Sequence, residues 1–228
     1  PFRVLQMDST MNLRDLIDLF RIDVDDTVEP FLFGEDEAIE YANDAQNEAA
    51  RRSRLLLDST TTAIANIDVV AATGLYELDP RVLFIRKARF ANKQPLRRMN
   101  MQDMETRDPY WEDANASEPM YFISDYETGK IRLHPTPSES GTLLLTVVRD
   151  PLAEMNDIDD VPEIPARYHR SLRFWMAFRA YSKQDAEAND PKKAIDSLSM
   201  FEQEFGKKSA AIDETWINRE QQEGDGTY

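Results

Sequence analysis

The chain has two histidines, the side chains best suited to acid–base work near neutral pH, and neither has company. His134 sits between Leu133 and Pro135 at the end of a strand-like run, and His169 follows Tyr168 where an aromatic helix opens. A nucleophile needs an activating base within reach, and no glycine-flanked serine accompanies either histidine. Cysteine is absent, which removes disulfides, thiolate metal sites and cysteine nucleophiles together. The seven glycines form no phosphate-cradling loop and no dinucleotide fingerprint. Asp23, Asp25 and Asp26 open like a calcium loop. Val28 then stands where that loop needs glycine, and no closing glutamate follows. With 43 carboxylates, a pair spaced for glycoside hydrolysis could arise on folding, but no motif singles one out. No catalytic, cofactor-binding or metal-ligating residue is assigned, and the expectation is a protein that is not an enzyme and needs no cofactor.

Charge narrows the partners. The 228 residues carry 27 basic and 43 acidic side chains, a net charge of −16. A protein that grips duplex DNA must neutralise phosphates, so this balance argues against that task. It does not argue against an acidic wall past which DNA slides, although plain solubility accounts for the charge equally well. No apolar run approaches the roughly 20 residues that span a bilayer. Residues 1–8 lack the basic-then-apolar layout of a secretory leader.

The elements that would position these residues follow from local signals. Asn12 and Asp15 read as a capping box for a helix over 12–23, with Leu13, Leu16, Ile17 and Phe20 at helical spacing. Pro30 and Gly34 interrupt it. A longer helix is expected from Glu35 to Leu57, with acids in its first turn and Arg51, Arg52 and Arg54 near its end, as the dipole favours. Those arginines read either as a well-made helix end or as a contact with phosphate or an acidic neighbour. Between Thr60 and Arg149 the period shifts towards two. Strands are expected over 60–67, 69–78, 82–90, 119–123, 130–134 and 142–148, with a long loop over 94–116 and a short helix near 101–107. Residues 154–165 read as a connector. Pro165 should open an aromatic helix to about Lys183. Pro191 should open another, whose face runs Ile195, Leu198, Phe201, Phe205, Ile212 and Trp216.

The expected fold class is α+β: a helical bundle formed by N- and C-terminal helices, with a β-rich insertion of five to six strands between them. The expected domains are residues 1–58 and 151–213 for the bundle, 59–150 for the β-rich middle and 214–228 for an extended tail.

The order of signals carries a resemblance. Leu13-Arg14-Asp15-Leu16 is followed by the acidic helix from Glu35 to Arg51. Then come Tyr76-Glu77-Leu78-Asp79-Pro80, Pro95-Leu96-Arg97-Arg98-Met99 and Pro109-Tyr110-Trp111. Ile131 to Pro137, Leu143 to Val148, Pro162-Glu163-Ile164-Pro165, Tyr168-His169 and Asp190 to Ala194 complete the series. This series, from about Met11 to Phe205, resembles the head-to-tail adaptor (connector) proteins of tailed bacteriophages. It departs from them in three places. Phe33 stands where the family usually has tryptophan before the acidic helix, and His134 stands at a strand end that often carries tyrosine. Past Gly206 the chain follows no family pattern.

The resemblance implies a structural virion protein at the head–tail junction, assembled in the host cytoplasm. It implies a homo-oligomeric ring, typically of about twelve copies. The portal protein would lie on one side and a tail nozzle or tail-tube protein on the other. Genomic DNA would pass through without sequence-specific binding, and no membrane is involved. Residues 207–228 would reach the portal, with Ile212, Trp216, Ile217 and Tyr228 as anchors. Arg51, Arg52, Arg54, Arg97 and Arg98 would meet carboxylates of neighbouring subunits. The alternatives are another tail structural subunit (tail-tube, completion or stopper protein), a carboxylate-based cell-wall hydrolase, or a soluble regulatory or scaffold protein.

Overall fold

The computed structural model describes residues 10–90, 92–185 and 188–208. Among them six α-helices form: α1 (Leu13–Asp23), α2 (Glu35–Ser53), α3 (Thr62–Ala65), α4 (Met101–Arg107), α5 (Leu172–Tyr181) and α6 (Pro191–Phe205). Eight strands form: β1 (Leu57–Asp58), β2 (Asn66–Val69), β3 (Leu75–Glu77), β4 (Val82–Phe90), β5 (Pro95–Arg98), β6 (Tyr121–Ile123), β7 (Lys130–His134) and β8 (Gly141–Arg149). The fold is mixed α+β. The described chain divides into two units, one of residues 10–56 with 150–208 and one of residues 57–149.

In the first unit α1 and α6 begin where a side chain supplies the missing acceptor. The Asn12 carboxamide accepts from the Asp15 amide at 2.9 Å, and the Asp15 carboxylate accepts from the Asn12 amide at 3.3 Å. Asp190 does the same for α6, accepting from the amides of Lys192 and Lys193, with Pro191 in the first turn. Helix α2 buries Ala38, Ala42, Ala45 and Ala49 completely, and these small residues let other helices approach closely. One core joins α1, α2, α5 and α6. Its aromatic members are Phe20 and Phe33 at 5.7 Å, Trp175 and Phe201 at 5.0 Å, and Phe201 and Phe205 at 4.6 Å.

The second unit is a curled sheet of order β1-β8-β4-β5-β6-β7-β3, with β2 also paired to β8. All pairs are antiparallel except β5 with β6. Leu143, Leu145 and Val147 of β8 alternate inward and pack with Ile85, Ala88, Phe90, Phe122, Ile131 and Leu133. A smaller cluster of Met104, Trp111, Tyr121 and Ile123 lies beside it.

Several expected element boundaries, in both units, needed correction. The strand expected over 60–67 is a turn and the short helix α3, because the Asp58 carboxylate gathers the amides of Thr60 and Thr61 at 2.9 and 3.0 Å. The strand expected over 69–78 is two strands, split by a turn that holds Ala72 at φ 63° and leaves little room at Gly74. Helix α2 stops at Ser53 rather than Leu57, because Arg54 turns left-handed at φ 50°. The helix expected from Pro165 starts as a 3₁₀ turn, Ala166–Ser171, with α5 following. Helix α6 ends at Phe205 before Gly206, which has φ 83°; Ile212 and Trp216 lie outside the described residues.

The chain enters and leaves the second unit side by side. Asp58 of β1 pairs with Val147 of β8, and Leu57 pairs with Val148. Next to this pairing, Arg149 Nε donates to Asp58 Oδ2 at 2.6 Å, and Thr61 Oγ1 donates to the same oxygen at 2.6 Å. Both charged side chains are under 10% exposed. Burial alone would raise the Asp58 carboxyl. The Thr61 hydroxyl, the Thr61 and Thr60 amides and the Arg149 guanidinium outweigh it and hold the group well below the usual carboxylate range. Asp58→Ala should cost about 3–5 kcal/mol in urea unfolding, since it strands a buried guanidinium. Asp58 is depressed in the folded state, so its contribution is complete above the ordinary carboxylate range. It should fade as pH falls below about 4, and the variant should lack that part of the acid transition.

Candidate functional site

The residues that suggested chemistry are held in structural roles. His169 is 1% exposed. Its Nε2 lies 2.8 Å from the Ile164 carbonyl, and its Nδ1 lies 3.3 Å from the Met11 amide. A neutral imidazole that donates at Nε2 and accepts at Nδ1 satisfies both contacts. His134 stacks near Tyr121 and meets Trp111 edge-on at 5.5 Å. Burial pushes its pKa down, the nearby Arg132 and Arg107 add to that, and Asp108 opposes it.

The acidic run after α1 closes a loop instead of forming a cation site. Asp26 accepts from the amides of Leu32 and Phe33 at 2.8 and 3.1 Å and from Arg21 Nη1 at 2.9 Å. Arg21 in turn donates to the Phe33 carbonyl and covers the Phe31 ring at 3.7 Å. Asp23 pairs with Arg173 at 3.0 Å. Among the described residues, no group of three or more histidine or acidic side chains is placed to hold a metal ion. No described helix is long and apolar enough to cross a membrane.

The five arginines singled out by the sequence part company. Arg51 grips Asp150 with two bonds, of 2.9 and 2.8 Å. Arg52 donates to Glu48 at 2.8 Å and lies over Trp175 and Phe201. Arg54 ends α2. Arg98 reaches Ser124 at 3.2 Å and covers Phe84. Arg97 is exposed on β5, and among the described residues no carboxylate lies within ion-pair distance of it. The anchors Ile212, Trp216, Ile217 and Tyr228 lie outside the described residues.

Two features were not visible in the sequence. The connector over 150–165 has no regular structure but is pinned to α2. Asn43 Oδ1 accepts from the Met155 amide at 2.8 Å, its Nδ2 donates to the Met155 carbonyl at 2.9 Å, and Gln46 accepts from the Glu163 amide at 2.5 Å. Asn43 and Gln46, polar residues on the buried side of α2, are the signal that points to it. The second feature is charge partition. Residues 57–149 carry 11 basic and 13 acidic side chains, so most of the −16 lies outside the β-rich unit.

Two clefts remain. One, of about 400 Å³, lies in the sheet unit between Val82–Ile85 and Arg98–Asn100. The other, of about 370 Å³, runs along α2 and is lined by Asp36, Glu40, Asp44 and Glu154. Neither is lined by a histidine. What the described residues build is a set of charged surfaces on a well-tied scaffold, the equipment of a structural subunit.

The family described as SU10 adaptor protein matches residues 11–224. The chain belongs to this family of phage adaptor-type structural proteins. No curated protein matches the sequence.

Because His134 is depressed in the fold, its neutral form supports the fold at neutral pH and that support is lost as pH falls below about 6.5. Urea midpoints measured at about pH 7.5 and 5.5 should differ more for the wild type than for His134→Gln.

Proposed function

We propose that this protein is a non-enzymatic virion subunit that forms the head-to-tail adaptor ring between the portal and the tail of a tailed bacteriophage. The observation that carries this reading is the family match over residues 11–224, which spans both units. The ring would hold about twelve copies, closed by rotation about one axis. DNA would pass through it during packaging and ejection, with no turnover and no sequence-specific contact. The protein would assemble in the host cytoplasm and remain at the head–tail junction.

The physical features agree with a mechanical part. The joint core of α1, α2, α5 and α6 supports the reading of residues 1–58 and 151–213 as one helical bundle. The sheet of residues 59–150 then serves as an inserted platform. The acidic balance favours a channel that does not hold the phosphate backbone. Residues 207–228 would act as a portal-seeking segment, anchored through Ile212, Trp216, Ile217 and Tyr228. Arginines would join neighbouring subunits, with Arg97 foremost because it is exposed and has no ion pair among the described residues.

The test is the mass of the full chain mixed with its cognate portal ring, measured by native mass spectrometry. A discrete gain of about twelve subunits is expected. No gain, with both proteins folded, would refute the adaptor role and favour a tail-tube, completion or stopper subunit. Deleting residues 213–228 should abolish the gain while leaving the melting temperature of the core unchanged; full docking by the truncated chain would remove the tail from the account.

A further inference from the structure

Strand β4 carries Arg86, Lys87 and Arg89, and β5 carries Arg97. The ladder sets Ala88 against Leu96 and Arg89 against Pro95. Ala88 and Leu96 are 0% and 6% exposed, so Lys87, Arg89 and Arg97 beside them turn to the other face of the sheet. Continued by one residue, the same register would set Lys87 opposite Arg97. Against β8 the register of β4 shifts between Ile85 and Lys87, a bulge that leaves Arg86 as the extra residue. Ile85 and Ala88 are buried while both Arg86 and Lys87 are exposed. Strict alternation would have turned one of these two cations inward, and the bulge sends both out.

Like charges opposite each other on neighbouring strands destabilise a sheet. Other cations of this chain do have carboxylate partners: Arg149 with Asp58, Arg51 with Asp150, and Arg179 with Glu40 and Asp44. Among the described residues, no carboxylate lies within ion-pair distance of Arg86, Lys87, Arg89 or Arg97. A concentrated stripe of cations without ion pairs gains stability from a partner of opposite sign.

We propose that this stripe docks a second copy of the chain, and that it meets the acidic groove along α2. The proposal rests on the ring reading for its place in the particle. The groove is lined by Asp36, Glu40, Asp44 and Glu154, with Ile39 among them. Arg179 meets Glu40 and Asp44, whereas Asp36 and Glu154 have no ion pair among the described residues. Stripe and groove belong to different units of the chain. A contact between them in successive copies is therefore heterologous, the kind that repeats around a closed ring. A two-fold pairing of stripes would set cation on cation. Duplex DNA is the other polyanion with the right sign, and the overall charge disfavours it.

The absence of cysteine makes the contact accessible to disulfide trapping. Thr146 pairs with Lys87 across the sheet, and Asn47 lines the groove. Thr146→Cys and Asn47→Cys keep every charge and can be made in separate full-length chains. Mixed and oxidised, they should give the mixed dimer in about tenfold excess over either homodimer, resolved by intact mass. Adding Lys87→Glu and Arg97→Glu to the first chain should lower the mixed dimer about tenfold, and Asp36→Lys with Glu40→Lys in the second should restore it. A random ratio, or no mixed dimer, overturns the proposal. So does tight binding of a duplex of about 20 base pairs in about 50 mM salt that Lys87→Glu with Arg97→Glu abolishes, which would assign the stripe to phosphate. The two readings fail separately. An unchanged portal-bound mass for Lys87→Glu with Arg97→Glu overturns the stripe and leaves the adaptor role standing. No portal-bound mass for the wild type, with the mixed dimer intact, refutes the adaptor role alone.

Discussion

The sheet unit depends on one buried carboxylate. Asp58 receives two amides, two hydroxyls and a guanidinium, from Thr60, Thr61 and Arg149. A buried ion pair repays its desolvation only when the remaining lone pairs are filled, and here they are. The consequence is topological. An insertion of 93 residues returns to the strand from which it set out, because β1 and β8 are joined by ladder and ion pair at that point. Every other strand hangs on β8 directly or through β4 and its neighbours.

The helical unit solves a similar problem twice. Asp26 and Arg21 close the loop after α1 by filling each other's bonds and those of the Leu32, Phe33 and Phe31 region. Asn43 and Gln46 hold the 150–165 connector to α2 through its backbone. Polar groups with full sets of partners fix irregular segments that a hydrophobic core alone would leave free to slide.

Much of the architecture was legible because its causes are local. The capping box at Asn12 and Asp15, the Asp190-Pro191 start and the short helix over 101–107 all rest on contacts within a few residues. The misreadings share one cause. Residues 60–65 have strand composition, yet Asp58, paired with Arg149 91 positions away, holds the Thr60 and Thr61 amides in a turn that leads into α3. The 166–171 segment has helical periodicity, yet His169 is tied to Met11, 158 positions away. The bulge in β4 needs a register with β8 that no pattern within β4 announces.

The sequence by itself determined the class: an acidic, cysteine-free chain with both helical and strand signals, whose ordered motifs resemble the phage adaptor family to which it belongs. Composition and short-range spacing decide much of the helix ends and strand content, because those depend on contacts within a few residues. Only the tertiary structure decided which charges are spent and which are free. Arg51 and Arg97 read alike in sequence, but Asp150 reaches the first across 99 residues and no described carboxylate reaches the second. Ion pairing depends on distance in space, falling off over a few ångströms at a solvated surface, and sequence separation does not encode that distance.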